Sequence, residues 1–343
     1  MTNTRLCRTF QTAPAGVPRD DSAKYLVSGL AAEGWQAPDW LVPDLEDGTA
    51  PDLKDEALAN VRDLLPEYAP DFAGEIWPRV EWGYDDEATR ERGRDQIATL
   101  AASVGDHLDG VVVPKVGRLD DVKAAEAAVE AAVQESGREI EMAIIVETAR
   151  ARSDLREIAQ FGRDSRLSAL VFGPVDYAAE LGGRDVGGPE GGPNWPGLYE
   201  AMSNEASAND LLAIGGPFDK LFRERAGVTF YNGDEYAAHV EREARVGLDG
   251  SWSLHPNQTE QANRIHLPTD AELREAVRKI EAFTEAKDEG TGAVSIDGQM
   301  VDEATLKNFE NTVETVRAVH DARESQTREC YDADLLERAL AVG

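Results

Sequence analysis

Three ionisable residues stand just beyond short apolar runs: Arg79 after Trp77-Pro78, Glu147 after Ile144-Ile145-Val146, and Asp176 after Leu170-Val171-Phe172-Gly173-Pro174-Val175. If the fold brings Glu147 and Asp176 into one cleft, the two carboxylates repel. A hard divalent cation resolves that repulsion, because it takes oxygen ligands from one or two carboxylates and keeps several waters. Asp44, Glu46 and Asp47, in the run Asp44-Leu45-Glu46-Asp47, are candidates to support those waters. A histidine-poor, thiol-free donor set argues against Zn²⁺ and for Mg²⁺, with Mn²⁺ as its substitute. Arg79 supplies a planar guanidinium fork suited to a substrate carboxylate. These residue types point to a Mg²⁺ site for a small carboxylate-bearing substrate.

Such residues act together only if the fold converges the ends of their segments. Short β-rich runs recur at Leu6 to Phe10, Trp40 to Pro43, Glu75 to Val80, Gly110 to Val116, Met142 to Glu147, Leu170 to Gly173, Leu211 to Gly215 and Gly250 to His255. Stretches rich in Ala, Glu, Arg and Leu separate them and read as amphipathic helices, most clearly Asp120 to Glu135 before Gly137. Eight such alternations over about 250 residues are the count of a (β/α)₈ TIM barrel, an α/β fold whose active site lies at the carboxyl ends of its strands. At that end six of the eight runs carry an ionisable group: Asp44 to Asp47, Arg79, Lys115, Glu147, Asp176 and His255. Any one carboxylate there can be no more than a helix cap; the set of six implies a site. A doubly wound nucleotide-binding sheet is disfavoured, since no Gly-x-Gly-x-x-Gly follows the first run and no P-loop motif occurs.

After Leu267-Pro268 the pattern changes to a helix over Asp270 to Lys287, a short segment Ala293 to Ile296, a turn at Asp297-Gly298 and two more helical stretches. The organisation expected is a barrel over 1–267 with a small C-terminal helical appendage over 268–343. Gly182 to Gly197 reads as a lid over the barrel mouth. Across 343 residues, 41% hydrophobic and 7% aromatic content suffices for a core. Acidic residues number 66 against 35 basic ones, a net charge of −31, and only eight of the basic residues are lysines. That balance argues against nucleic-acid or anionic-membrane partners, which need clustered Lys and Arg. Spread along the whole chain, it reads as a surface kept soluble in concentrated salt. The sequence holds no run approaching ~18 apolar residues and no signal-peptide core, so a cytoplasmic placement is expected. Cys7 and Cys330 cannot build a disulfide framework.

Seven motifs then appear in one order: Asp44-Leu45-Glu46-Asp47; Arg79; Val113-Pro114-Lys115; Ile145-Val146-Glu147-Thr148; Phe172-Gly173-Pro174-Val175-Asp176 with Leu181-Gly182; His255-Pro256-Asn257-Gln258; and the stretch from Gly292 through Asp297-Gly298 to Asp302. Through them the chain resembles the citrate lyase β-subunit-like superfamily, most closely its malyl-CoA and β-methylmalyl-CoA lyases. With the acidic surface, the resemblance suggests a haloarchaeal member. It implies reversible carbon–carbon cleavage of acyl-CoA thioesters to glyoxylate and propionyl-CoA or acetyl-CoA, with Glu147 and Asp176 as metal ligands. Arg79 and the backbone of Val175 would hold glyoxylate, and Asp302 would be the catalytic carboxylate, delivered by a neighbouring subunit of a homo-oligomer, a trimer or hexamer. Lys24, Phe10, Leu254 and His255 are candidate coenzyme A contacts. A malate synthase, a citryl-CoA lyase subunit and a non-enzymatic acidic scaffold are the alternatives.

Overall fold

In the computed structural model, residues 5–18, 20–183, 195–225, 227–288, 290, 292–296 and 298–342 are described. The chain divides into two units, Cys7–Arg264 and, together with Thr4–Leu6, Ile265–Gly343. The first is built on eight strands, numbered here by their order along the chain: Thr9–Pro14, Trp40–Asp44, Glu75–Ile76, Gly110–Val113, Glu141–Val146, Leu167–Phe172, Leu212–Ile214 and Ser251–Ser253. All pair in parallel, in the orders eighth–first–second–third and fourth–fifth–sixth–seventh. Single bridges, Arg79 to Val112 and Ile214 to Gly250, join the two sheets at both edges and close the cylinder. The expected α/β barrel is the fold that forms.

The strands read as continuous apolar runs because both of their faces are buried. Alternate residues serve different cores. Val111, Val113, Ile144, Val146, Leu170 and Phe172 point outward beneath the helices. Val112, Ala143, Ile145, Ala169 and Val171 point inward and join Phe10, Trp40, Val42, Trp77 and Trp252. Inside, Trp40 and Trp77 stack with their rings 3.9 Å apart. The helix expected over Asp120 to Glu135 spans Leu119–Ser136 and buries Val122, Ala125, Val129, Ala132 and Val133.

Four strands differ from expectation by three residues or more: the fourth ends at Val113 rather than Val116, the sixth begins at Leu167 rather than Leu170, and the first and third depart further. The first lies at Thr9–Pro14 rather than Leu6 to Phe10, because its polar residues find partners inside the barrel. Thr12 Oγ1 accepts from Trp252 Nε1 at 3.0 Å, and Gln11 Oε1 accepts from Thr259 Oγ1 at 2.5 Å. The third strand is short because Pro78 has no N–H to give a ladder. The Trp77 and Arg79 N–H groups still reach the Leu41 and Pro43 carbonyls, at 2.9 and 2.8 Å, and carry the chain to the mouth. The glycine-rich stretch read as a lid lies mostly outside the described residues. A hairpin, Phe222–Arg225 with Val228–Tyr231, follows the seventh strand and was not foreseen.

The second unit opens with helix Asp270–Asp288, followed by a hairpin pairing Ala293–Ile296 with Gln299–Asp302. Three helices then follow, Glu303–Ala322, Glu324–Cys330 and Ala333–Ala341, where two helical stretches were expected. The last break falls at Tyr331-Asp332, where Asp332 caps the next helix by accepting from Leu335 N–H at 2.9 Å. Leu273, Ala276, Val277, Ile280 and Phe283 bury one face of the opening helix. Among the described residues no helix is long and apolar enough to cross a membrane.

Candidate active site

The inward register of the strands continues past the apolar core. Trp40 and Val42 lead to Asp44, Trp77 leads to Arg79, and Ala143 and Ile145 lead to Glu147, each on the same face one pleat further on. Their side chains therefore enter the mouth at the carboxyl end of the barrel. Asp44, Arg79 and Glu147 are only 2%, 8% and 4% exposed, and charges so removed from water must be paired or neutralised.

Arg79 and Asp44 form a two-pronged pair: Nε donates to Oδ1 at 2.8 Å and Nη2 to Oδ2 at 2.5 Å. Arg79 Nη1 lies 3.3 Å from Glu46 Oε2. Asp44 also accepts the N–H groups of Glu46 and Gly48, both at 2.9 Å, which folds the loop after the second strand. Lys115 donates through Nζ to both Glu46 and Asp47. Burial works against the charge on Arg79, but Asp44, Glu46 and Glu147 outweigh it and raise its pKa. Lys115 behaves likewise: burial opposes its charge, and Glu46 and Asp47 more than offset that.

Glu147 stands differently. Burial, and after it the charge of Asp176, push its carboxyl up to about 8. Arg79 and the Lys115 N–H, which donates to Glu147 Oε1 at 2.7 Å, pull only partly the other way. Gly173 lets the end of the sixth strand close on this group, since a Cβ there would sit 2.4 Å from Glu147 Oε2. Asp176 follows in the first turn of helix Pro174–Glu180. Asp44, Glu46, Asp47 and Glu147 thus share two cations, Arg79 and Lys115, both hydrogen-bonded to the strand-two acids, and Asp176 adds its negative charge beside Glu147. Among the described residues no group of three or more His, Cys, Asp or Glu side chains is arranged to hold a metal ion. Two carboxylates short of positive charge fit Mg²⁺, a hard cation that takes oxygen ligands from one or two carboxylates.

The other sequence candidates are placed as follows. Asp44, Glu46 and Asp47 bind Arg79 and Lys115 directly. Val175, beside Asp176, is 47% exposed. Phe10 is fully buried, its ring 5.0 Å from that of Trp252, so it packs the barrel interior and has no surface to offer a coenzyme. Leu254 is half-buried and gives its N–H to Gln258 Oε1 at 2.7 Å. His255 lies with its ring 6.0 Å from that of Tyr231, and burial lowers its pKa. Lys24 is exposed at the start of helix Lys24–Leu30. In the second unit Asp302 is exposed and caps helix Glu303–Ala322, accepting from Thr305 N and Oγ1, both at 2.8 Å. Those bonds lower its pKa and keep it ionised.

Three contributors carried no assigned role in the sequence reading. Lys115 bridges the strand-two loop to Glu147, using a left-handed backbone (φ 49°) that no periodicity signals. Trp252 lies with its ring 5.7 Å from the Arg79 guanidinium; its inward register in the eighth strand was the available signal. Gly173 was legible only as part of a motif.

The family described as HpcH/HpaI aldolase/citrate lyase matches residues 28–191, the stretch that holds Asp44, Arg79, Lys115, Glu147 and Asp176. An L-malyl-CoA/β-methylmalyl-CoA lyase from Haloarcula marismortui is 63% identical over 99% of this chain and 98% of its own. An apparent malate synthase from the same organism is 37% identical over 76% of this chain and 60% of its own. Among solved structures, the magnesium/glyoxylate complex of Haloferax volcanii malate synthase superposes with a TM-score of 0.69 at 30% identity, covering 99% of both chains. With nearly its whole length shared in this way, the chain belongs to the HpcH/HpaI aldolase/citrate lyase family.

Proposed function

We propose that this chain is a Mg²⁺-dependent carbon–carbon lyase. It reversibly cleaves β-methylmalyl-CoA to propionyl-CoA and glyoxylate, and L-malyl-CoA to acetyl-CoA and glyoxylate. The observation that carries the proposal is the buried Glu147, facing Asp176 without a cation of its own and beside a guanidinium held by Asp44. The lyase and synthase relatives support it, and so does the solved relative that binds magnesium with glyoxylate.

Glu147 and Asp176 would hold the Mg²⁺, which supplies positive charge beside the oxygens of glyoxylate when bound. Arg79 has five N–H donors, of which two are hydrogen-bonded to Asp44, with Nη1 also 3.3 Å from Glu46; donors remaining on Nη1 and Nη2 would meet the glyoxylate carboxylate. Asp44 fixes the guanidinium plane, so the fork is oriented before substrate arrives. In condensation Asp302 takes the α-proton of the acyl thioester. The carbon's electron pair then adds to the aldehyde carbon of glyoxylate, and the former carbonyl oxygen becomes a hydroxyl on taking up a proton. Cleavage runs the same steps backward. The reading also assigns Asp302 to a neighbouring subunit of a homo-oligomer, a trimer or hexamer, with Val175, Lys24, Leu254 and His255 toward the acid and the coenzyme. It places the enzyme in the cytoplasm.

The test mixes the protein in high KCl with glyoxylate and propionyl-CoA, with and without Mg²⁺, and follows products by mass spectrometry. Mg²⁺-dependent β-methylmalyl-CoA without free CoA is expected. Free CoA with a released dicarboxylate would make it a synthase, and no reaction with either propionyl-CoA or acetyl-CoA would end the proposal. Asp302→Asn should lose exchange of the thioester α-proton by about 10²-fold or more while still binding Mn²⁺; normal exchange removes Asp302 from the base's role.

A further inference from the structure

Another buried carboxylate, Glu243, lies outside the mouth's ion network and is used by no step above. It is fully buried on helix Gly233–Arg245. Three groups hold it: Ser251 Oγ donates to Oε2 at 2.5 Å, Gly216 N–H to Oε1 at 3.0 Å, and His239 Nε2 lies 3.0 Å from Oε1. His239 Nε2 is also 3.1 Å from the Gly216 carbonyl. Both neighbours of that nitrogen are acceptors, so Nε2 carries the proton and donates. Glu243 and His239 therefore clasp the N–H and the C=O of one residue, Gly216, just past the end of the seventh strand.

Gly216 in turn is in close contact with the sixth-strand loop. A Cβ on it would lie 2.7 Å from Pro174 Cδ and 3.3 Å from Phe172 Cδ1, so the Gly216 backbone rests against the Pro174 ring. Pro174 opens the helix whose first turn carries Val175 and Asp176. A seven-residue helix has little rigidity of its own, and its position is set by the wall it leans on. A buried carboxylate saturated with donors is a stiff support, because breaking any of its bonds leaves an unpaired group away from water.

We propose that Glu243 is a positioning residue for Asp176, acting through the Gly216 peptide and Pro174. The inference rests on the reading of Glu147 and Asp176 as metal ligands. The probe is Mn²⁺, titrated by electron paramagnetic resonance into the full-length protein in high KCl, with a thermal melt of each variant. Glu147→Gln should abolish binding; if it does not, the metal-site reading fails whatever Glu243 does. Given that control, Glu243→Ala should weaken Mn²⁺ at least tenfold at temperatures well below its melt, and Glu243→Gln, which still accepts from Gly216 N–H, should restore most of the affinity. Gly216→Ala keeps Glu243 but pushes on Pro174, and should weaken Mn²⁺ by a similar factor. Wild-type affinity in folded Glu243→Ala overturns the proposal; if that variant does not fold, wild-type affinity in Gly216→Ala does so alone.

Discussion

The two halves of the barrel mouth treat their acids in opposite ways. On the strand-two side Asp44, Glu46 and Asp47 are bound to Arg79 and Lys115. On the strand-five and strand-six side Glu147 faces Asp176, and the neighbouring cations are already shared with the other three acids. In sequence the strand-two run looks the richer ligand cluster, with three acids in four residues against two acids 29 positions apart. Its acids, however, orient Arg79, and the widely separated pair carries the unneutralised charge. What marks a cation site is the local balance of charge after ion pairing, which a count of acids along the chain does not give.

The largest effect should come from the unneutralised side. Glu147→Gln should lower turnover by about 10³-fold or more, through loss of the metal. It should also stabilise the metal-free protein. Glu147 ionises near pH 4.5 when unfolded and only near 8 when folded, so the folded state holds a proton that the unfolded chain releases. Its contribution is therefore fully present below about pH 4.5 and is lost as pH rises toward 8. A rise of that size corresponds to on the order of 5 kcal/mol. In EDTA the variant should melt increasingly above wild type from pH 5 to 8, with Mg²⁺ reversing the order. Equal melting curves at pH 8 would mean that the two halves do not differ in the way described.

A middle-sized effect tests the neutralised side. Arg79→Lys replaces a planar fork with a point charge, so Asp44 loses its two-pronged partner. Turnover should fall about 10²-fold with a raised KM for glyoxylate, and stability by about 2 kcal/mol. A KM unchanged in steady-state assays would remove Arg79 from the substrate. The smallest effect is expected at Lys115→Met, which leaves Glu46 with Arg79 alone and Asp47 with water. Stability should drop by about 1–2 kcal/mol in urea titrations, while Mn²⁺ affinity changes little because the Lys115 N–H to Glu147 remains. A large loss of Mn²⁺ affinity would show that the halves are electrostatically one.

Much of the fold was legible because a barrel strand is a local object. Runs such as Val111-Val112-Val113 are apolar on both faces, and inward parity beyond Ile145 and Trp77 points to Glu147 and Arg79 without coordinates. The Leu6 start of the first strand misled, because Gln11 and Thr12 look like loop until Trp252 and Thr259, more than two hundred residues away, supply their partners. Lys115 was found at its strand end but its bridging role was not, because a left-handed residue breaks the parity that oriented the others.

By itself, then, the sequence determined the barrel, the end of it that bears chemistry, the acidic surface and the residue types at the site. These follow from periodicity, composition and spacing, which are properties of short segments. The tertiary structure alone decided which acids are neutralised. It set the Lys115 bridge between two loops, buried Phe10 within the barrel, and stationed Glu243 behind the Gly216 peptide. Each of these depends on which distant groups become neighbours once water is excluded, and on how a carboxylate's charge is met at that place.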